Sequence, residues 1–454
     1  MKKMLFACLL ALTAGQASAE KMYKYRVSLK DKVGTAYTVD NPQAFLSERA
    51  IERRNRQQLS VDETDLPVSG IYIKELTNVG GRLVTTSKWN NTVVLEVSDT
   101  TLMDKVKEMP FVTGVKKVWA QPDSIPPRNK KRKKEVTNEV KEAGHHYGKA
   151  FRQINIHGGD SLHWAGFTGK GMHVAVIDAG FYNADEIKFF KKMDLLGMRD
   201  FVNPDSDIYA ENSHGMKVLS CMAANMKDVF VGTAPEASYW LLRSEDQDTE
   251  QPVEEDYWAA AIEFADSVGI DVVNTSLGYH AFDEGFGGYR YRDLDGHYSL
   301  MSHSASLAAD KGIVVVCSAG NSGRGAWKKM TPPGDSENVL TVGALTKDLV
   351  NTEFSSIGNT ADGRIKPDVM AIGQNSVVSG NNGTVSKANG TSFASPTMCG
   401  VVACFWQACP WLTAKEVIKA VQQAGDRVDF PDNIYGYGVP NLWKAYQKEL
   451  EQKK

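Results

Sequence analysis

Between residues 144 and 454 the chain alternates short, nearly unbroken apolar runs with longer amphipathic stretches. The runs are MHVAVID (172–178), SYWLLR (238–243), DVVNTSLG (271–278), GIVVVCSAG (312–320) and NVLTVGA (338–344). Segments such as DYWAAAIEFADSVG (256–269) and SLMSHSASLAADKG (299–312) lie between them. Strands buried on both faces lose the apolar–polar alternation, so this rhythm predicts an α/β unit: a parallel sheet with helices on both faces. Ligands of such sheets bind outside the carboxyl ends of the strands. The residues that follow each run are therefore the ones to inspect.

Residues 20–124 have a different rhythm. YKYRVSLK (23–30), RLVTTS, TVVLEVS and FVTGVKKVWAQ read as strands. NPQAFLSERAIERRNRQQ (41–58) predicts a helix capped by Asn41 with Pro42 next, and TLMDKVKEMP a shorter one. Mixed helices and strands without long βα repeats predict a small α+β domain.

Two further segments bound these units. Residues 1–19 carry Lys2 and Lys3, an apolar run from Met4 to Ala14, and Ala17-Ser18-Ala19. This pattern predicts an export signal cut after Ala19, and the run is too short to span a bilayer stably. Cys8 lies inside the apolar run, too early for a lipid-attachment site. Export places the protein in a periplasm or outside the cell. Residues 125–143 form a linker in which six of the seven positions from Arg128 to Lys134 are basic. Such density keeps a segment solvated. The α/β rhythm then fills 144–454.

Composition changes the picture little. The net charge of −3 gives no bias toward nucleic acid, and no other segment is apolar enough for a membrane span. Five cysteines remain after the signal: Cys221, Cys317, Cys399, Cys404 and Cys409. They cannot all pair with one another, and Cys317 reads as a small buried thiol. Cys404 and Cys409 need a turn of backbone between them to bridge. Of nine histidines, His145, His146, His157, His163, His173, His280, His297 and His303 read as ordinary surface or core residues. His145-His146 has no companions at ligand spacing.

His214 differs through its company. Acyl transfer by serine needs a hydroxyl to attack, an imidazole to take its proton, a carboxylate to fix the imidazole, and donors for the oxyanion. Asp178 ends one run, His214 precedes a helical pattern, Asn321 follows GIVVVCSAG, and Ser392 lies in NGTSFASPTMCG at the entrance to a long apolar helix. Their order along the chain is Asp, His, Ser. Residues 390–394 read GTSFA, so the G-x-S-x-G elbow of the α/β-hydrolases is absent. Ser395 falls about a turn deeper and predicts a packing or capping role. Pro396 fits a first helical turn.

Taken together, VAVIDAG, NSHGMKVLSCMA, VVNTSLG, VVVCSAGN and NGTSFASPTMCG resemble the catalytic domain of the subtilisin-like serine peptidases, from about Gly169 to Ala445. The first unit resembles that family's propeptide in size, position and βαββαβ-like rhythm. The resemblance implies a secreted endopeptidase made as a zymogen, with a ferredoxin-like prodomain as intramolecular inhibitor and extended polypeptides as substrates. It implies Ser392 as nucleophile, His214 as general base and acid, Asp178 as its orienter, and Asn321 with the Ser392 N–H as oxyanion donors. Ser276-Leu277-Gly278 and Ser318-Ala319-Gly320 would pair with substrate backbone. No cofactor is needed for this chemistry; a structural calcium stays open. Cutting near Arg128 to Gly144 would release the active form.

Some positions depart from the family pattern. Ala179 stands where Ser or Thr often follows the Asp, and Met216 where Thr often follows His-Gly. These are the support for a rival reading, a catalytically silent binding protein with the same fold. Thr331 falls where smaller residues often sit, which implies a shallower pocket. SEDQDTEQPVEED (244–256) carries seven carboxylates at the implied cleft rim. It reads as an attractor of basic substrate residues, a calcium ligand, or a solvated loop whose last acids favour a helix N-terminus.

Overall fold

A computed structural model describes residues 20–124, 136–137 and 146–453. The expected export signal and most of the expected linker lie outside the described residues.

The first unit is a four-stranded antiparallel sheet with helices. It runs β1 (Tyr23–Leu29), α1 (Glu48–Arg56), α2 (Gly70–Asn78), β2 (Arg82–Ser87), β3 (Thr92–Val97), α3 (Leu102–Lys107) and β4 (Val112–Ala120). The strand order is β2-β3-β1-β4. Val27 faces Val93 on one side and Val115 on the other. Val27, Val93, Leu95 and Val97 form its core with Leu76 and Val106 of the helices.

Here α1 corrects the sequence expectation. Asn41 makes no side-chain cap, and Pro42–Ala44 forms a single tight turn. The helix starts six residues later, where the Ser47 hydroxyl accepts the Ala50 N–H at 3.2 Å. A serine aimed at the third helical N–H outweighed the weaker Asn-Pro signal. Helix α2, capped by Ser69, was not anticipated.

The second unit is the expected parallel α/β layer structure. Its strands are β5 (His173–Asp178), β6 (Asp194–Asp200), β7 (Ser238–Arg243), β8 (Val272–Thr275), β9 (Val314–Ser318), β10 (Leu340–Leu345) and β11 (Val369–Ile372). The helices that matter are α4 (His214–Ala223), α5 (Val253–Ser267), α6 (Leu300–Asp310) and α7 (Thr391–Ala408). The sheet order is β11-β10-β9-β8-β5-β7-β6 with every pair parallel. Side chains alternate between two cores. Val174, Val176, Val272, Val314 and Val316 pack on α4 and α7. Ala175, Ile177, Val273, Val315 and Cys317 pack on α5 and α6. The period of two survives even though both faces are apolar.

Register aligns the strand ends. Thr275 lies beside Ile177 on one side and Cys317 on the other. The next residues along, Asp178, Ser276 and Ser318, therefore emerge together at the carboxyl edge.

The two units meet through α5. Val94 and Val118 of the first sheet bury themselves against Val253 and Tyr257. All five cysteines of the described residues are free and buried. Among the described residues no helix is long and apolar enough to cross a membrane.

Candidate active site

Ser392 is the second residue of α7, a helix of 18 residues that is buried almost throughout. Early helical N–H groups lack intrahelical acceptors and carry partial positive charge. The cap residue is Gly390 at φ 153°. A Cβ there would stand 3.6 Å from the Ser392 nitrogen and 3.7 Å from Asn321 Nδ2. Glycine thus keeps open the space in front of both donors.

Pro396 is the sixth helical residue, in the second turn rather than the expected first. It has no N–H for the Ser392 carbonyl four residues earlier. That orphaned carbonyl accepts the Ser276 hydroxyl instead, at 3.0 Å. Asn274 Nδ2 in turn donates to Ser276 Oγ at 3.2 Å, and Ser395 Oγ donates to Asn274 Oδ1 at 2.8 Å. Ser395 therefore neither caps nor merely packs. It closes a polar chain that ties α7 to the end of β8.

Asp178 and His214 are joined directly. His214 Nδ1 lies 2.8 Å from Asp178 Oδ1, which also accepts the Ala179 N–H at 2.8 Å. The Asn212 side chain accepts the His214 N–H at 2.9 Å and so starts α4. Asp178 is wholly buried, while the His214 side chain keeps 31 % of its exposure. Burial works against imidazolium, but the charge and hydrogen bond of Asp178 outweigh it, so the His214 pKa is raised. Asp178 Oδ2 has no partner among the described residues. Ala179 and Met216, both buried and apolar, offer it no hydroxyl.

The Phe393 ring sits 5.8 Å from the His214 ring. Ser392 Oγ is turned toward the Ser276 carbonyl oxygen, 3.5 Å away, and no hydrogen bond joins it to His214 in this rotamer. Catalytic contacts of this kind often tighten only with substrate bound.

Asn321 is held by its acceptor end. Thr391 donates its N–H at 2.9 Å and its hydroxyl at 3.0 Å to Asn321 Oδ1, and Gly320 N–H donates to Thr391 Oγ1 at 3.2 Å. The amide is thereby oriented with Nδ2 toward the Gly390 gap.

Between the strand extensions 276–278 and 318–320 stands Thr331. A Cβ on Gly278 would come within 2.3 Å of Thr331 Oγ1, and one on Gly320 within 3.3 Å. The Thr331 hydroxyl fills the space those two glycines leave.

The acidic segment divides. Glu254, Glu255 and Asp256 open α5 as expected, but they are buried rather than solvated. Arg26 of β1 grips Asp256 with two bonds of 2.6 and 2.7 Å. Glu254 accepts the N–H groups of Asp246 and Gln251. Glu245 lies in the field of the dyad: burial, then the charge of Asp178, pushes its pKa up to about 7. Among the described residues no three His, Cys, Asp or Glu side chains gather as a metal-holding set.

Sequence reasoning missed Asn212, Asn274 and Thr391. Thr391 adjoins Ser392 and is polar in an apolar helix, which was an available signal.

Comparison with known proteins identifies the family of each unit. Residues 169–438 match the model of the subtilase family, and residues 24–138 match a peptidase S8 propeptide domain of Bacteroidota. Serine protease AprX of Bacillus subtilis is 31 % identical over 304 residues, which cover 60 % of this chain and 66 % of AprX. Subtilisin DY of Bacillus licheniformis is 28 % identical over 294 residues, covering 63 % of this chain and 95 % of that protein. The thermophilic serine proteinase of Bacillus sp. strain AK1 is 28 % identical over 281 residues, 61 % of this chain and 62 % of its own.

Proposed function

This chain belongs to the subtilase family of serine endopeptidases, and from that premise we propose an exported zymogen whose triad is Asp178, His214 and Ser392. After the prodomain leaves, an extended polypeptide pairs its backbone with 276–278 and 318–320. Ser392 Oγ turns from the Ser276 carbonyl and attacks the scissile carbonyl carbon. His214 Nε2 takes the hydroxyl proton while Asp178 holds Nδ1–H and stabilises the imidazolium. The oxyanion is met by Asn321 Nδ2 and the Ser392 N–H. As the intermediate collapses, His214 gives its proton to the leaving amine. Water, activated by His214, then hydrolyses the acyl-enzyme.

Thr331 supports a preference for small side chains at the residue before the scissile bond. Main-chain pairing makes recognition elsewhere tolerant of sequence. Glu245 beside His214 supports a leaning toward basic residues in that neighbourhood.

The observation that carries this reading is the 2.8 Å bond from Asp178 to His214, set at the same sheet edge as the start of α7. Casein hydrolysis by the processed protein, compared with Ser392→Ala, tests it. Equal rates would reject Ser392 as nucleophile. The silent-protein reading draws on the unpartnered Asp178 Oδ2. A fluorophosphonate probe separates the two, because it labels a working serine nucleophile and leaves a silent one unlabelled.

A further inference from the structure

A second polar contact between the two units lies at the edge of the sheet opposite Ser276. Helices α5 and α6 end side by side, each followed by a left-handed glycine, Gly269 at φ 84° and Gly312 at φ 88°. Helix C-termini carry unpaired carbonyls and partial negative charge, and so favour cations. Into this place goes Arg53 of α1. Its guanidinium donates to the carbonyls of Ile270 at 2.5 Å, Lys311 at 3.3 Å and Asp266 at 3.5 Å. It also meets the Asp266 carboxylate at 2.6 Å. Both side chains are shut off from solvent.

The surroundings are built to match. A Cβ on Gly269 would stand 2.8 Å from the Ala50 nitrogen, and one on Gly312 would stand 2.6 Å from Gln57 Nε2. Gly269 is therefore needed for the backbone of α1 to approach, and a side chain at Gly312 would displace the Gln57 amide. Gln57 bonds the Gly312 carbonyl and the Ala414 N–H, each at 2.8 Å. Arg54 and Lys88 converge on the other Asp266 oxygen, each at 3.1 Å. Arg49 bonds the Gly269 carbonyl and pairs with Asp271. Burial works to raise the Asp266 pKa, but Lys88, Arg54 and Arg53 together hold it well below the usual carboxylate range.

We propose that the paired ends of α5 and α6, with Asp266, form a guanidinium socket that holds the prodomain by Arg53 independently of the substrate cleft. Activation then has two steps. Cutting the linker is the first, and extraction of Arg53 is the second. The proposal rests on reading residues 20–124 as the inhibitor, and it adds the site that retains it.

The test uses the full chain with Ser392→Ala and a site-specific protease sequence placed in the linker. After cutting, release of the prodomain is followed by size-exclusion chromatography. The unaltered socket is expected to retain the fragment. Arg53→Met and Asp266→Asn should each speed release about a hundredfold, since truncating one partner of a buried, hydrogen-bonded pair acts mainly on the off-rate. The double variant should release no faster than the faster single one. Arg53→Lys, which keeps charge and stem but loses the planar fork, should fall between. If cutting alone frees the fragment at the Arg53→Met rate, or if the two single effects multiply, the socket is overturned. Arg53→Lys answers the same question should Arg53→Met fail to fold. Hydrolysis of casein by the Ser392 protein is scored separately: its absence defeats the peptidase reading and leaves the release rates intact.

Discussion

Thr391 holds Asn321 by two hydrogen bonds to one oxygen, from its own N–H and its own hydroxyl. The residue before Ser392 thus aims the side chain that, in the proposed mechanism, meets the oxyanion. Asn321→Leu is expected to lower kcat about 10²–10³-fold, the usual loss for one oxyanion donor. Thr391→Val keeps the N–H bond and removes the hydroxyl. Its loss should be smaller, about tenfold in kcat with KM unchanged, since the donor is displaced rather than deleted. Steady-state kinetics on a peptide anilide check both, and a rise in KM alone would count against the orienting role.

Replacing Asp178 by Asn leaves size and burial alone but lets the imidazole take the wrong tautomer. A fall in kcat of about 10⁴-fold is expected. A loss below tenfold would show that the 2.8 Å bond to His214 is not the one used.

The pH profile has a defined sign. His214 must be neutral to act as base, and its pKa is raised above the ordinary imidazole value of 6.5 by Asp178, with Glu245 adding to the rise. Activity should therefore be full at higher pH and fall as pH drops through a midpoint above 6.5. Glu245→Gln removes one negative charge and should move that midpoint down, with little change in kcat at its plateau. Profiles of kcat/KM for both proteins decide this. An unmoved midpoint would place Glu245 outside the field of the dyad.

Thr331→Gly should deepen the pocket between Gly278 and Gly320. The ratio of kcat/KM for a large aromatic over alanine at the residue before the cut is expected to rise about 10–100-fold. A peptide library differing at that residue measures it, and an unchanged ratio would place the pocket floor elsewhere.

Gly400 lies where α7 crosses the 232–234 turn, and a Cβ there would stand 2.0 Å from Thr233 Oγ1. Gly400→Ala should destabilise the fold by about 1–3 kcal/mol, the ordinary cost of overpacking. Urea unfolding of the Ser392→Ala chain reads it directly.

Much of this was legible in the residues. The runs of Val and Ile gave away the parallel sheet because strands buried on both faces have no polar positions to interrupt them. The serine, histidine, asparagine and aspartate stood out because polar residues at strand ends and helix starts need a reason. The exposed edge strand β6 escaped notice since DLLGMRD has neither a clean alternation nor a continuous apolar run. The partners of the basic residues in α1 were illegible for another reason. Arg53 and Asp266 are 213 positions apart, and nothing local to ERRNR distinguishes a buried guanidinium from a solvated one. The same holds for Asn274, whose role depends on a helix that begins more than a hundred residues later.

Strand β8 has a consequence for inhibition kinetics. It begins just after Ile270 and Asp271, which bind the arginines of α1, and it ends just before Ser276, whose hydroxyl bonds the Ser392 carbonyl. Asp271 and Ser276 are about 16 Å apart at strand spacing. Strands and helices run in opposite senses in a parallel layer fold, so the molecule has a reacting pole and a gripping pole. A small ligand at the reacting pole competes with substrate and is outrun by raising substrate concentration. One at the gripping pole is indifferent to substrate, and would instead compete with the prodomain for its seat.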